Sequence, residues 1–332
     1  MGEDTMEKIT VKLTERDIEL LKLLGRYGVI SIKDINEKFF QSSRYYRTRL
    51  LKLEKGGYII RSKRKYVYLG IEGKRYLENI NHSIKSINSN ENYRRRLADI
   101  YKLLSRLTEF EIVTNTEVRE ENFNVLSTKR YRFYGKVKGK LGEEYWVYRI
   151  TKIKNHDEVS IKGKRLDISM IKKDIEERTH ENANTNVNVM IFIDDELTLK
   201  LYKEDTTTLK INKEIVLLYN EKNIDFVNNV IAKGIDSREN IISMLKRRKC
   251  NVEENKSIAA ADFVISKNDN IKQYVFNLSN KDLKKEKAFQ SYLDILLNKD
   301  LVAIACYNEE TQDYKNLYPG IEVIALEKPL TM

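Results

Sequence analysis

The 332-residue chain is 41% apolar and 33% charged with a net charge of +11, a composition that fits a soluble globular protein with room for two or three separately cored domains. No run approaches the ~18 uncharged apolar residues of a membrane span, and the opening MGEDTMEKIT has no apolar signal segment, so a cytoplasmic location is expected and no membrane partner. Cys250 and Cys306 form no CxxC pair, and His82, His156 and His180 are scattered, which argues against a disulfide framework and a zinc site.

Thr14 followed by Asp17 has the spacing of a capping box and opens a first helix, with Ile18, Leu20, Leu21 and Leu24 inward and Gly25 and Gly28 at its end. Ser31 with Asp34 repeats the pattern and starts a short helix through Phe39, with Ile32, Ile35 and Phe39 inward. A turn through Gln41 then delivers the stretch from Ser42 to Leu69, SSRYYRTRLLKLEKGGYIIRSKRKYVYL. On a 3.6-residue helix Tyr46, Leu50 and Leu53 share one side, as a buried seam requires. The other side carries Arg44, Thr48 and Lys52, flanked by Tyr45, Arg47 and Arg49, with Ser43 at its start. These are donor-rich side chains suited to phosphates and base edges. Gly56-Gly57 stops the helix and Tyr58-Ile59-Ile60 resumes as a strand. Arg61, Lys63, Arg64 and Lys65 surround a short turn before Tyr66 to Leu69 returns. The pattern is a recognition helix followed by a basic hairpin, half of a winged helix-turn-helix.

Residues 41–75 hold eleven Lys/Arg against Glu54 and Glu72, a local balance of +9, whereas residues 1–80 sum to +7 and the remaining 252 to +4. The basicity is therefore a patch, and a patch on a helix and hairpin is the electrostatic footprint of a duplex binder. Ile71 to Ile80 reads as a last helix and residues 81–91 as a polar linker, which gives a winged-helix domain over residues 10–80.

The runs TERDIELLKLLGRYGVISIKDINEKFF, YYRTRLLKLEKGGYIIR and YLGIEGKRYLEN are similar to the winged-helix domains of bacterial regulators and of the replication-relaxation family carried by plasmids and integrative elements of Gram-positive bacteria. In such domains the R-L-x-x-L-E-x-x-G-Y-I segment is the end of the recognition helix and the entry to the wing. The resemblance covers about the first 80 residues and implies sequence-specific binding of double-stranded DNA.

Residues 92–110 form an amphipathic helix with Leu97, Tyr101, Leu104 and Leu107 on one face, suited to packing on the next domain or on a second copy. Strands are expected at 111–118, 129–138 and 144–152, then a helix at 164–179 and strands at 187–193, 197–203 and 213–219. This order, helix, three strands, helix, strand, matches the core of restriction-endonuclease-like folds and defines an α/β module over residues 92–220. A second pass gives a helix from Asp236 to Lys249, strands at 262–266 and 273–278, a helix at 280–297 and strands at 301–307 and 321–326, a second module over 236–330.

A nuclease of that fold needs clustered carboxylates for a divalent cation. No Asp or Glu occurs from Ser127 through Gly142, and the next strand reads Tyr148-Arg149-Ile150-Thr151-Lys152. In the second module Asp262 stands alone, with Phe276-Asn277-Leu278-Ser279 where Glu-x-Lys belongs. Asp194-Asp195-Glu196 reads as a turn after a strand. No P-loop or dinucleotide fingerprint occurs, and a nucleophilic Tyr45 or Tyr46 would lack a neighbouring metal cluster. The expectation is an α+β or α/β protein without enzymatic activity, cofactor or metal, a dimeric DNA-binding regulator or replication factor of a plasmid, phage or integrative element. The alternative is a nucleic-acid enzyme, or an accessory subunit of one, with a nuclease-like C-terminal half.

Overall fold

The computed structural model describes residues 10–41, 44–63, 65–87, 90–121, 133–152, 158–181, 187–235, 237–255, 261–267, 271–295 and 301–327. The protein is of mixed α+β class, with helices and three small sheets, and the chain divides into two compact units, residues 1–108 and 109–332.

In the first unit, α1 (Glu15–Tyr27) opens with a reciprocal cap, in which Thr14 N donates to Asp17 Oδ2 at 2.7 Å and Asp17 N to Thr14 Oγ1 at 3.4 Å. It buries Leu20, Leu21 and Leu24, runs through Gly25 and stops at Gly28, whose φ of +83° suits glycine. The short strand β1 (Val29–Ser31) follows, which the sequence pattern did not disclose, and Ser31 then caps α2 (Ile32–Phe40) by accepting from Asp34 N at 3.1 Å. Next come α3 (Tyr45–Lys55), the antiparallel hairpin β2 (Ile59–Ser62) and β3 (Tyr66–Leu69), and α4 (Ile71–Asn79). β3 is the central strand of a three-stranded sheet, between β1 and β2.

Helix α5 (Glu91–Leu104) belongs to this unit, whereas the sequence reading placed the same segment at the head of the following module. Its apolar stripe explains the assignment: Leu97, Ile100, Tyr101 and Leu104 are buried, and the Tyr101 ring meets Tyr27 edge-on at 5.1 Å. The polar stretch before it is also tied down, since Lys85 N donates to Gly25 O at 2.8 Å.

The second unit holds two five-stranded sheets built to one plan. The first runs β4 (Glu111–Thr114), β5 (Phe133–Lys138), β6 (Glu144–Ile150), β7 (Asn188–Ile193) and β8 (Lys213–Leu218). β4, β5 and β6 pair antiparallel, and β6, β7 and β8 pair parallel. The parallel strands are joined through α7 (Glu158–Glu181) and α8 (Glu196–Glu204), as parallel neighbours require; the short α6 (Asn115–Glu121) follows β4. The chain passes through α9 (Glu221–Phe226), a π-helical turn (Val227–Ile231) and α10 (Ser237–Arg247). The plan then repeats in β9 (Asn251–Glu254), β10 (Phe263–Lys267), β11 (Ile271–Asn277), β12 (Val302–Tyr307) and β13 (Glu322–Leu326). The pairing again changes from antiparallel to parallel at the third strand, with α11 (Leu283–Ile295) and α12 (Thr311–Leu317) in the crossovers.

Two expected strands are corrected. Residues 197–203 are helical, because Asp195 accepts from Thr198 N at 2.9 Å and caps α8 and because Thr198, Leu201 and Tyr202 are the buried positions. The strand expected over 111–118 ends at Thr114, where Glu117 caps the turn into α6 by accepting from Thr114 N at 2.6 Å. The N-terminal part of the strand expected over 129–138, the first residue of the helix expected over 236–249 and the end of the helix expected over 280–297 lie outside the described residues. Among the described residues no helix is long and apolar enough to cross a membrane.

The two sheets share a seam. Leu283 of α11 enters the core of the first sheet beside Ile175, Tyr202 and Val216, and Glu214 N donates to Asp282 Oδ1 at 3.1 Å. Around them Lys172, fully buried, donates to Asp205 Oδ1 at 2.7 Å, and Tyr202 Oη donates to Glu214 Oε1 at 2.7 Å.

Candidate nucleic-acid interface

Gln41, in the left-handed region with φ of +46°, ends α2. Leu50 and Leu53 fix α3 to the core, and Tyr46 is half-buried with its ring 6.4 Å from Phe40. Arg44, Tyr45, Arg47, Thr48 and Lys52 are exposed. No ion pair of Arg44 or Lys52 is present among the described residues. Arg47 lies along the helix, its Nε donating to Tyr46 Oη at 3.1 Å and its guanidinium 5.7 Å from that ring.

Arg49 points the other way. Its guanidinium grips Asp17, with Nε donating to Oδ1 at 3.0 Å, and Nη2 donates to the Lys12 carbonyl at 2.9 Å. The two side chains are 11% and 2% exposed. Burial alone would raise the Asp17 pKa, but the hydrogen bonds from Arg49 and Thr14 outweigh it and hold the carboxyl below its ordinary value. Arg49 therefore fastens α3 to the start of α1, and its charge is spent inside the fold.

At the hairpin turn Lys63 has a φ of +48° and Lys65 N donates to Ser62 O at 3.0 Å. Arg61 is bound to Glu54 of α3 through its Nε at 2.7 Å and its backbone N at 3.2 Å, a clamp between helix and hairpin. Lys63 pairs with Glu91 on α5, and Lys65 is exposed. Ser43 and Arg64 lie outside the described residues. Between α3 and the hairpin is an open groove of about 680 Å³ lined by Tyr46, Arg47, Leu50, Glu54, Arg61 and Lys63.

The eleven positions singled out from sequence therefore separate. Arg44, Tyr45, Arg47, Thr48, Lys52 and Lys65 are on the surface, whereas Arg49 and Arg61 are held by internal carboxylates. Sequence reasoning gave the helix α5 but not its place beside the hairpin. Arg94 stacks over Tyr68 at 4.7 Å and donates to Ser62 Oγ at 3.2 Å, and Arg95 beside it is exposed. The run Arg94-Arg95-Arg96 was the available signal. With α5 included, residues 1–108 hold 24 Lys/Arg against 13 Asp/Glu, and residues 109–332 hold 37 of each. The whole net charge of the chain resides in the first unit.

In the second unit, Asp262 accepts from Asn277 N at 2.8 Å and from Lys285 Nζ at 2.5 Å. Asp194 pairs with Arg149 at 2.9 Å, and Asp195 is occupied as the cap of α8. Among the described residues no three His, Cys, Asp or Glu side chains are grouped to hold a metal ion. No family model and no curated protein matches the sequence.

Proposed function

We propose that the first unit is a winged helix-turn-helix that binds double-stranded DNA, α3 entering the major groove and the β2–β3 hairpin holding backbone phosphates as the wing. The observation that carries this reading is the concentration of the entire net charge in the unit that presents α3 and the hairpin. Base reading falls to Arg44, Tyr45, Thr48 and Lys52. Arg and Lys donate to guanine O6 and N7, and Thr and Tyr offer contacts to thymine methyls and phosphates. On this reading the protein is a sequence-specific regulator or replication factor, binding as a dimer and belonging to a mobile genetic element. On the same reading the α/β repeats serve assembly or regulation.

Selection of bound fragments from the source genome supplies the test, because recovered sites at an origin, a promoter or a transfer locus assign the process. On such a site the double variant Arg44→Ala/Lys52→Ala loses about 2 to 6 kcal/mol if both side chains read bases, each contributing ~1 to 3 kcal/mol. Unchanged affinity of that variant would remove α3 from the interface.

A further inference from the structure

We propose that the hairpin tip and the first turn of α5 form a single phosphate-binding track, in which the Glu91 carboxylate occupies the position that a DNA backbone phosphate takes in the complex. This deepens the duplex-binding reading and rests on it.

One cation contacts the Glu91 carboxylate, and two more lie within its field. Lys63 Nζ donates directly to Glu91 Oε2, and Lys65 and Arg95 act on the same group through their charge alone. Together they hold Glu91 below its ordinary pKa, the Lys63 hydrogen bond contributing most. A site that offers a carboxylate one lysine donor and the field of a second lysine and an arginine has the charge that a phosphodiester needs. The spacing of the track is fixed from below. Arg94 lies over the Tyr68 ring and donates to Ser62 Oγ, so α5 cannot slide along the hairpin without losing both contacts. Asn90 caps the same turn, accepting from Asn92 N at 2.8 Å, and Arg95 Nη2 donates to Asn92 Oδ1 at 3.3 Å.

The occupant is easily displaced. The Lys63 and Glu91 side chains are 68% and 55% exposed, and an ion pair so open to water contributes little to stability. Glu91 can swing into solvent while a phosphate takes its place. Until then it neutralises Lys63 and repels phosphates that arrive without the contacts of α3. The effect is selective: weak, sequence-independent encounters are penalised, and a duplex already held by α3 displaces the carboxylate.

The full-length protein, titrated by anisotropy with a labelled random-sequence duplex across a range of salt, tests the track. Glu91→Gln is expected to bind that duplex several-fold more tightly and to steepen the dependence of log affinity on log salt by up to about 0.9, one added phosphate contact. Arg95→Ala is expected to bind several-fold more weakly with a slope flatter by about 0.9, and Arg95→Lys to restore the slope, which separates charge from packing. Equal melting temperatures confirm that the variants are folded. If Glu91→Gln and Arg95→Ala leave affinity and slope unchanged while Arg44→Ala/Lys52→Ala weakens binding, the track is wrong and the winged-helix reading stands. If the parent protein binds neither random nor genomic duplex at low salt, both fall.

Discussion

Arg47 and Arg49 sit two positions apart on one helix with the same chemistry and opposite fates. The helical rotation leaves Arg47 on the solvent side and turns Arg49 onto Asp17, a carboxylate 2% exposed. Removing one partner of a buried pair leaves the other uncompensated, at a cost of about 3 kcal/mol. Arg49→Ala is therefore expected to lower the melting temperature sharply while leaving the salt slope of the proposed DNA binding unchanged, and an unaltered melting temperature would show that the pair contributes nothing. The pair also sets a pH dependence. Because Asp17 in the folded protein sits below its ordinary pKa, its stabilisation is present above the ordinary carboxylate range and is lost as pH falls through the folded value.

At the level of elements, the corner between α3, the hairpin and α4 is set by close backbone approach. A Cβ on Gly73 would lie 2.1 Å from the Tyr58 carbonyl oxygen, a backbone atom that cannot rotate away. Gly73→Ala gains about 1 kcal/mol of helix propensity and loses up to about 3 kcal/mol to overpacking. The expected result is a destabilised first unit, read as a lower denaturant midpoint; a raised midpoint would mean that α4 is free to shift. How much of this the sequence disclosed follows from periodicity. The capping boxes at Thr14 and Ser31 and the buried strands β7 and β12 carry unambiguous local signals, and they were legible. Leu197, Leu199 and Leu201 alternate as a strand does, whereas the cap from Asp195 and the burial of Thr198, Leu201 and Tyr202 belong to helix α8. β1 is three residues long and β9 four, too short to show a period. For the candidate interface, the sequence showed which residues are cationic but not which carry partners. Asp17 lies 32 positions from Arg49, and Glu91 lies 28 from Lys63, separations that no local pattern encodes.

For the molecule as a whole, charge is partitioned: one unit carries all of it, and the other balances 37 cations with 37 anions. Within the balanced unit, burial raises the pKa of Glu214 and Asp282 at the seam between the two sheets, against the pull of neighbouring hydrogen bonds and lysines. A carboxyl raised on folding costs stability as pH climbs from its unfolded to its folded value, the reverse of the Asp17 case. Glu214→Gln keeps an acceptor for Tyr202 Oη and removes the buried charge. It is expected to melt above the parent near neutral pH, with the difference closing toward about pH 4.5, where the unfolded carboxyl also protonates. A variant that melts lower at every pH would show that the charged form is the one the seam requires. That seam brings Lys172, Asp205, Glu214 and Asp282 together beside the buried Leu283. Because both modules belong to one polypeptide, each sees the other at a fixed effective concentration set by the connecting segment, not by the number of molecules in the cell. The contact never has to assemble from solution, so it has no affinity threshold to meet, and either copy of the repeat is free to change its outer edges without dissolving the pair.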